Sequence, residues 1–416
     1  MMGENSIRRR LLYVLFASQS LFSAGQIAVF TLTAIVATRL SGTESTAGLP
    51  SSALTFSQAF AAFPLAMLMG RFGRRSGLTL GYICGALGGL IGILAITQEM
   101  FPLLLISAAL MGIGRAGSDM GRFAAGEMFP PAERGRMIGR LVFASTIGAI
   151  GGPLLVGPVG RLVESFGLHR DNGGWVGMLV LSSLAALIIA VLLRPDPMQL
   201  ARTLAVAEDE EAAAEGKLKS PARPLRQLLM LRTVQLAILA MLVSQTVMVV
   251  LMVMTPLHMD HHHHSRDAIS MVIAAHTLGM FGLSALTGYL IDRFGRIPML
   301  VVGGLTLMAA ALLAPVSNGE LMLALALFLL GLGWNFGYVA GSSLLADALQ
   351  GTERTRVQGI NDSLVFFVAG FGSLSSGPLY AAGGFFAVSM GGLVLALLLL
   401  VLIYWLSGAQ RKRKPA

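Results

Sequence analysis

The chain has 416 residues, 55% of them hydrophobic and only 12% charged, with a mean hydropathy of +0.74. Soluble domains carry about twice that share of charge, so this composition excludes an ordinary globular enzyme and indicates a chain that crosses a membrane many times. The net charge of +9 does not mark a nucleic-acid partner, because the cations gather in the N-terminus, alternate loops and the C-terminus, where they report topology.

Arg8, Arg9 and Arg10 are followed by an apolar run to Val36. That run is too long for the core of a cleaved leader, and no small-residue cleavage site stands out, so it reads as a first spanning helix. Apolar segments of spanning length number twelve, at roughly 11 to 38, 50 to 70, 77 to 97, 101 to 121, 139 to 161, 174 to 193, 234 to 257, 267 to 290, 297 to 316, 320 to 345, 358 to 381 and 383 to 406. The expected fold is therefore an all-α polytopic membrane protein. Cys84, in the third segment, is the only cysteine, which rules out an intramolecular disulfide and a thiolate cluster for metal.

Even-numbered connections hold Arg71, Arg74, Arg75, Arg134, Arg136, Arg140, Arg293, Arg296, Arg354 and Arg356, whereas odd ones hold only Arg39, Arg161, Arg170 and Arg266. Both termini are then expected on the cytoplasmic side of a bacterial-type inner membrane. In the fourth segment Arg115 and Asp119 stand four apart and can pair on one helix face, either as a proton or gating device or as a static salt bridge. Gly148 to Pro158 in the fifth segment resembles the glycine-proline motif of membrane antiporters and drug exporters, and close helix packing at small residues explains it equally well. A polar stretch, 194–226, contains RPDP, the acidic run Glu208 to Glu211 and SPARP. It reads as a cytoplasmic linker between a six-helix half at 1–193 and another at 227–416.

The two halves repeat. GRFGRRSG (Gly70 to Gly77) follows the second segment and GYLIDRFGR (Gly288 to Arg296) follows the eighth, so that Arg71, Gly73 and Arg74 correspond to Arg293, Gly295 and Arg296. After the fourth and tenth segments, Glu127, Glu133, Arg134 and Arg136 correspond to Asp347, Glu353, Arg354 and Arg356. Internal repetition on this scale belongs to secondary transporters. At these residues the chain resembles the major facilitator superfamily, whose loop motif G-x-x-x-D-R-x-G-R-R is matched by Gly288, Asp292, Arg293, Gly295 and Arg296. The resemblance implies twelve helices in two pseudo-symmetric halves, with these loops latching the cytoplasmic side through charge pairs. In the first copy Gly70 stands where the motif has its acid, which puts one latch in doubt. Trp334 and Asn335 fall on the tenth helix, one of four that surround the central path in that superfamily. No GxxxxGK phosphate loop occurs, so ATP is not the direct energy source.

Six of the seven histidines lie between His258 and His276. Met248 and Met252 lie four apart on the seventh helix, and His276 and Met280 four apart on the eighth. Antiparallel helices at about 1.5 Å per residue put Met248 and His276 at similar depth, roughly 12 Å from their outer ends. Thioether and imidazole are neutral ligands suited to a soft cation such as Cu(I); the bland alternative is methionine packing around one hydrogen-bonded histidine. The pairing resembles the CcoA-like group of the superfamily, which includes copper importers and relatives associated with riboflavin uptake. That resemblance implies a copper site at Met248, Met252, His276 and Met280, with copper as the transported ion and no permanently bound cofactor. An outer vestibule is expected from Met254, His258, Met259, His261, His262, His263 and His264, with a merely solvated polar turn as the alternative. Riboflavin or another small organic solute, and proton-coupled drug or metabolite export, are the competing cargo classes. The lipid bilayer is the expected surrounding, with no obligatory protein partner.

Overall fold

A computed structural model describes residues 4–204, 223–349 and 351–411, and every regular element among them is helical. The acidic run Glu208 to Glu211 and the side chains of Arg134, Arg136, Arg354 and Arg356 lie outside the described residues. In hydrocarbon each backbone N–H and C=O must be paired within its own segment, so apolar runs of this length become helices. The first six spans are Glu4–Ser41, Leu49–Phe72, Arg74–Thr97, Phe101–Asp119 with its continuation Gly121–Glu127, Pro131–Ser165 and Asn172–Leu192. The seventh is Arg232–His261, the ninth Arg296–Leu313 and the tenth Glu320–Ala348.

The eighth span is broken. Arg266–Thr277 is α-helical, Leu278–Gly282 is one π-helical turn, and Ser284–Phe294 resumes the α-helix, with a bend of 43° across the break. The last helical run, Gly351–Arg411, is also two helices, because Gly383 and Gly384 have non-helical backbone angles. Among the described residues ten helices are long and apolar enough to cross a membrane, eleven with the bent eighth span counted. Dividing the final run at Gly383–Gly384 fits the expected twelve.

The chain forms two compact units. One comprises Met1–Leu32 and Ala53–Ser220, the other Thr33–Ser52 and Pro221–Ala416. In the first unit the glycine-rich part of the fifth span packs on the first span: Gly152 has room for no Cβ, which would sit 2.4 Å from the Ala24 carbonyl oxygen. Ser20 Oγ donates to the Ala144 carbonyl and Ser23 Oγ to that of Ser145, at 2.9 and 2.8 Å. Close packing of small residues accounts for this stretch.

Candidate functional site

The repeated loops have repeated geometry. Gly73 adopts φ 94° and ψ 162°, and Gly295 adopts φ 92° and ψ 164°. Each glycine occupies a positive-φ bend that a side chain would strain, and each leads directly into a helix that begins with an arginine. Both arginines reach the acid their repeat assigns. Arg74 grips Glu127 through two parallel contacts, Nε to Oε2 at 3.0 Å and Nη2 to Oε1 at 2.5 Å. Arg296 Nε lies 2.9 Å from Asp347 Oδ2, and its Nη1 lies 3.7 Å from Asp292 Oδ1.

The first loop lacks the acid of the motif, and the linker supplies another. Asp196, in RPDP, accepts hydrogen bonds from the backbone N–H of Arg74 (Oδ1) and Arg75 (Oδ2), both at 3.0 Å. A carboxylate there satisfies N–H groups that a helix start leaves unpaired and sits at the positive end of the helix dipole. A Cβ on Gly73 would lie 2.3 Å from Asp196 Oδ2, so glycine both makes the bend and admits the carboxylate. In the second unit the linker's far end is tied likewise: Arg223 bonds Glu353 through Nε (3.0 Å), Nη2 (2.7 Å) and its backbone N–H (2.9 Å). Sequence reasoning missed Asp196 and Arg223, whose partners lie 122 and 130 residues away.

Arg115 and Asp119 pair on one face as their spacing implies, with Nε 3.3 Å from Oδ1. Asp119 also accepts from Gln58 Nε2 of the second span at 2.8 Å. The neighbouring Ser118 hydroxyl donates to Gln19 Oε1, and Gln19 Nε2 donates to the Ser145 hydroxyl. One polar strip thus links the first, second, fourth and fifth spans.

The eighth and tenth spans meet backbone to backbone. A Cβ on Gly279 would lie 2.2 Å from the Phe328 carbonyl oxygen, and one on Gly331 would lie 2.3 Å from that of His276. His276 is buried and hydrogen-bonds through Nδ1 to the Leu327 carbonyl at 2.9 Å, while its Nε2 is buried without a hydrogen-bond partner. The tenth span also reaches the π-turn by hydrogen bonds: Asn335 Nδ2 donates to the Met280 carbonyl (2.6 Å) and to Ser284 Oγ (2.9 Å). Met248 and Met252 are buried on the seventh span, at 8% and 5% exposure, and Met280 is half-buried.

The outer histidines have local duties. His258 stacks on Phe385 at 4.3 Å and pairs through Nε2 with Asn318 Oδ1 at 3.1 Å. His262 Nδ1 donates to the His258 carbonyl, and His264 Nε2 to the Asn318 carbonyl. His261 Nδ1 lies 3.3 Å from the Tyr380 hydroxyl and 3.6 Å from Glu44 Oε1. His263 takes the left-handed turn position at φ 60°, whereas Met254 and Met259 are fully buried. Among the described residues no three or more histidine, cysteine, aspartate or glutamate side chains are grouped to hold a metal ion.

An aromatic group that sequence reasoning met only at Trp334 lies on the seventh, eighth and tenth spans. Trp334 stacks on Tyr338 at 4.9 Å and 19°, meets the edge of Phe281 at 5.8 Å, and donates from Nε1 to Gln245 Oε1 at 2.8 Å. Tyr338, four residues after Trp334, could have been found from that spacing, but Phe281 and Gln245 carry no local signal.

A polytopic helical protein whose two halves carry the same loop bends and the same arginine–acid pairs is a solute carrier of the repeat-built kind. The chain belongs to the major facilitator superfamily (MFS), whose family model matches residues 14–264 and 236–416. As members of that superfamily are membrane carriers, it is not an enzyme. It is similar to the uncharacterized MFS-type transporters YdeG and YddS of Bacillus subtilis (strain 168), at 34% and 33% identity, each match covering 97% of this chain and 94% and 92% of those proteins. It is 27% identical to the riboflavin transporter RfnT of Brucella anthropi, over 97% of this chain and 96% of that protein. Among solved structures, a D-xylose–proton symporter aligns with a TM-score of 0.72 at 15% identity, covering 94% of this chain and 96% of its own. A bacterial homolog of the human lysosomal transporter Spinster aligns at 0.74 and 14% identity, covering 99% of each chain. At such identities these two show the shared fold alone.

Proposed function

We propose that this carrier moves a small organic solute with a planar ring system, by alternating access of its two halves, 1–193 and 227–416. Residues 194–226 join those halves on the cytoplasmic side, where both termini also lie, in a bacterial-type inner membrane. The observation that carries the reading is the group Trp334, Tyr338 and Phe281 beside the Gln245 amide. Sites for small organic ligands pair aromatic faces with a few fixed polar groups, and these side chains offer both. Gln245, Phe281 and Tyr338 are partly exposed around a Trp334 that is buried at 8% exposure. The riboflavin transporter among the relatives is named for a cargo of this kind.

Copper import is the second reading, favoured by the unpartnered Nε2 of buried His276. Met248, Met252 and Met280 would add the thioethers. Against it, the other ring nitrogen and most of the outer histidines already have protein partners. Uptake of radiolabelled riboflavin and of radiolabelled copper, each measured in cells expressing the wild type, Trp334→Ala and His276→Ala, separates the readings. The expected result is riboflavin uptake that falls by up to about tenfold in Trp334→Ala, as losing one stacking aromatic of up to about 1.5 kcal/mol implies. Copper uptake that requires His276, with no riboflavin uptake by the wild type, overturns the proposal.

A further inference from the structure

At the charged end of the first and sixth spans lies an open groove of about 520 Å³ that the transport reading leaves unused. Its lining surface is almost wholly apolar, with Val14, Ile188 and Leu192 beside the stems of Arg9 and Arg10 and the ring of Tyr13. Arg9 and Arg10 are exposed, Tyr13 is 70% exposed and Leu192 52%. Arg10 is also oriented: its Nη2 donates to the Arg194 carbonyl just beyond the sixth span.

We propose that this groove binds one anionic phospholipid, its phosphodiester on Arg9 and Arg10 and an acyl chain along the apolar lining. The groove extends on the first helix from Ser6 to Ala17, so at about 1.5 Å per residue it runs roughly 16 Å down the helix axis. The cations occupy the end near the helix terminus, and the lining turns wholly apolar going inward, through Val14 and Ala17 on one wall and Ile188 on the other. That order is the order of a lipid, headgroup outside and hydrocarbon inside. Tyr13 stands where the two regimes meet, the depth at which phenol rings sit in a bilayer. Free phosphate would use only the arginine end and leave the apolar wall uncovered. Basic pockets beside spanning helices on the cytoplasmic side suit acidic headgroups, and the arginine distribution assigns this end to that side.

The test uses the full chain, purified and stripped of lipid, then offered dioleoyl phosphatidylglycerol or dioleoyl phosphatidylcholine, with retention read by native mass spectrometry. These lipids share acyl chains and differ in headgroup charge. The expected result is phosphatidylglycerol retained at least about tenfold over phosphatidylcholine. Each arginine should account for about fivefold, so the Arg9→Gln/Arg10→Gln double variant should lose most of that preference. Ala17→Trp, which fills the apolar end and leaves both arginines, should lower retention of both lipids and serves where the double variant does not fold. Inorganic phosphate should not displace the lipid. Equal retention of the two lipids overturns the proposal. So does unchanged preference in Arg9→Gln/Arg10→Gln, an equal loss in Arg293→Gln in the second unit, or displacement by phosphate.

Discussion

The linker carboxylate at the first loop invites the sharpest test. Replacing Asp196 with alanine removes two acceptor contacts, to the N–H groups of Arg74 and Arg75, from a helix start with no other side-chain cap. Loss of a capping acceptor costs about 1 to 2 kcal/mol, and loss of the favourable charge at the dipole's positive end about 0.5 kcal/mol more. Asp196 is partly exposed, which argues for the lower part of that range. A total near 2 kcal/mol shifts the balance between seated and released states about 30-fold. Amide hydrogen exchange reads that balance directly, since an N–H exchanges when its acceptor leaves. Arg74 and Arg75 amides should exchange about 30-fold faster in Asp196→Ala. Asp196→Asn, which keeps one acceptor oxygen and no charge, should fall between that variant and the wild type. Exchange at the start of the ninth helix, which opens on Gly295 in the second unit, should not change, because Asp196 bonds the N–H groups of Arg74 and Arg75 in the first. Unaltered exchange at Arg74 and Arg75 in Asp196→Ala would refute the capping role.

The paired arginine–acid contacts should differ in strength. Arg74 is 17% exposed and holds Glu127 with two contacts, whereas Arg296 reaches an Asp347 that is 57% exposed. Partly exposed pairs contribute up to about 1 kcal/mol, so Arg74→Gln should lower thermal stability in detergent more than Arg296→Gln, and equal shifts would count against the geometry. Asn335→Leu should cost about 1 to 3 kcal/mol, because the amide's hydrogen bonds to the Met280 carbonyl and Ser284 Oγ are both lost. The measurement is the melting temperature of purified protein, and an unchanged value would mean that the amide does not support the turn.

What could be read from the chain in advance follows from how local each signal is. Spans are local: a membrane selects any long apolar run, so the segments read from hydropathy reappear as helices. The boundary between the last two segments falls at the Gly383–Gly384 break itself. The internal repeat is also legible, since the matched glycines share one bend and the matched arginines reach the matched acids. The eighth span shows where local reading ends. Nothing in LGMFG dictates a π-turn; the turn is stable because Asn335, 55 residues away, takes up the Met280 carbonyl, and because Gly279 and Gly331 let two backbones touch. The histidines show a related limit. Spacing places ring nitrogens at useful depths but does not say which are already spent, and His258, His262 and His264 are committed to Asn318 and to helix-end carbonyls. His276 is half-committed, one nitrogen on Leu327 and the other unpaired. A buried nitrogen left without a partner costs about 1 to 3 kcal/mol. Nε2 therefore bears that cost unless a ligand such as the copper of the second reading takes it up, or unless it is paired when the eighth span moves against the tenth. In the last case the π-turn between His276 and Asn335 is the element that must change, and its carbonyl contact to Asn335 is what holds the present arrangement in place.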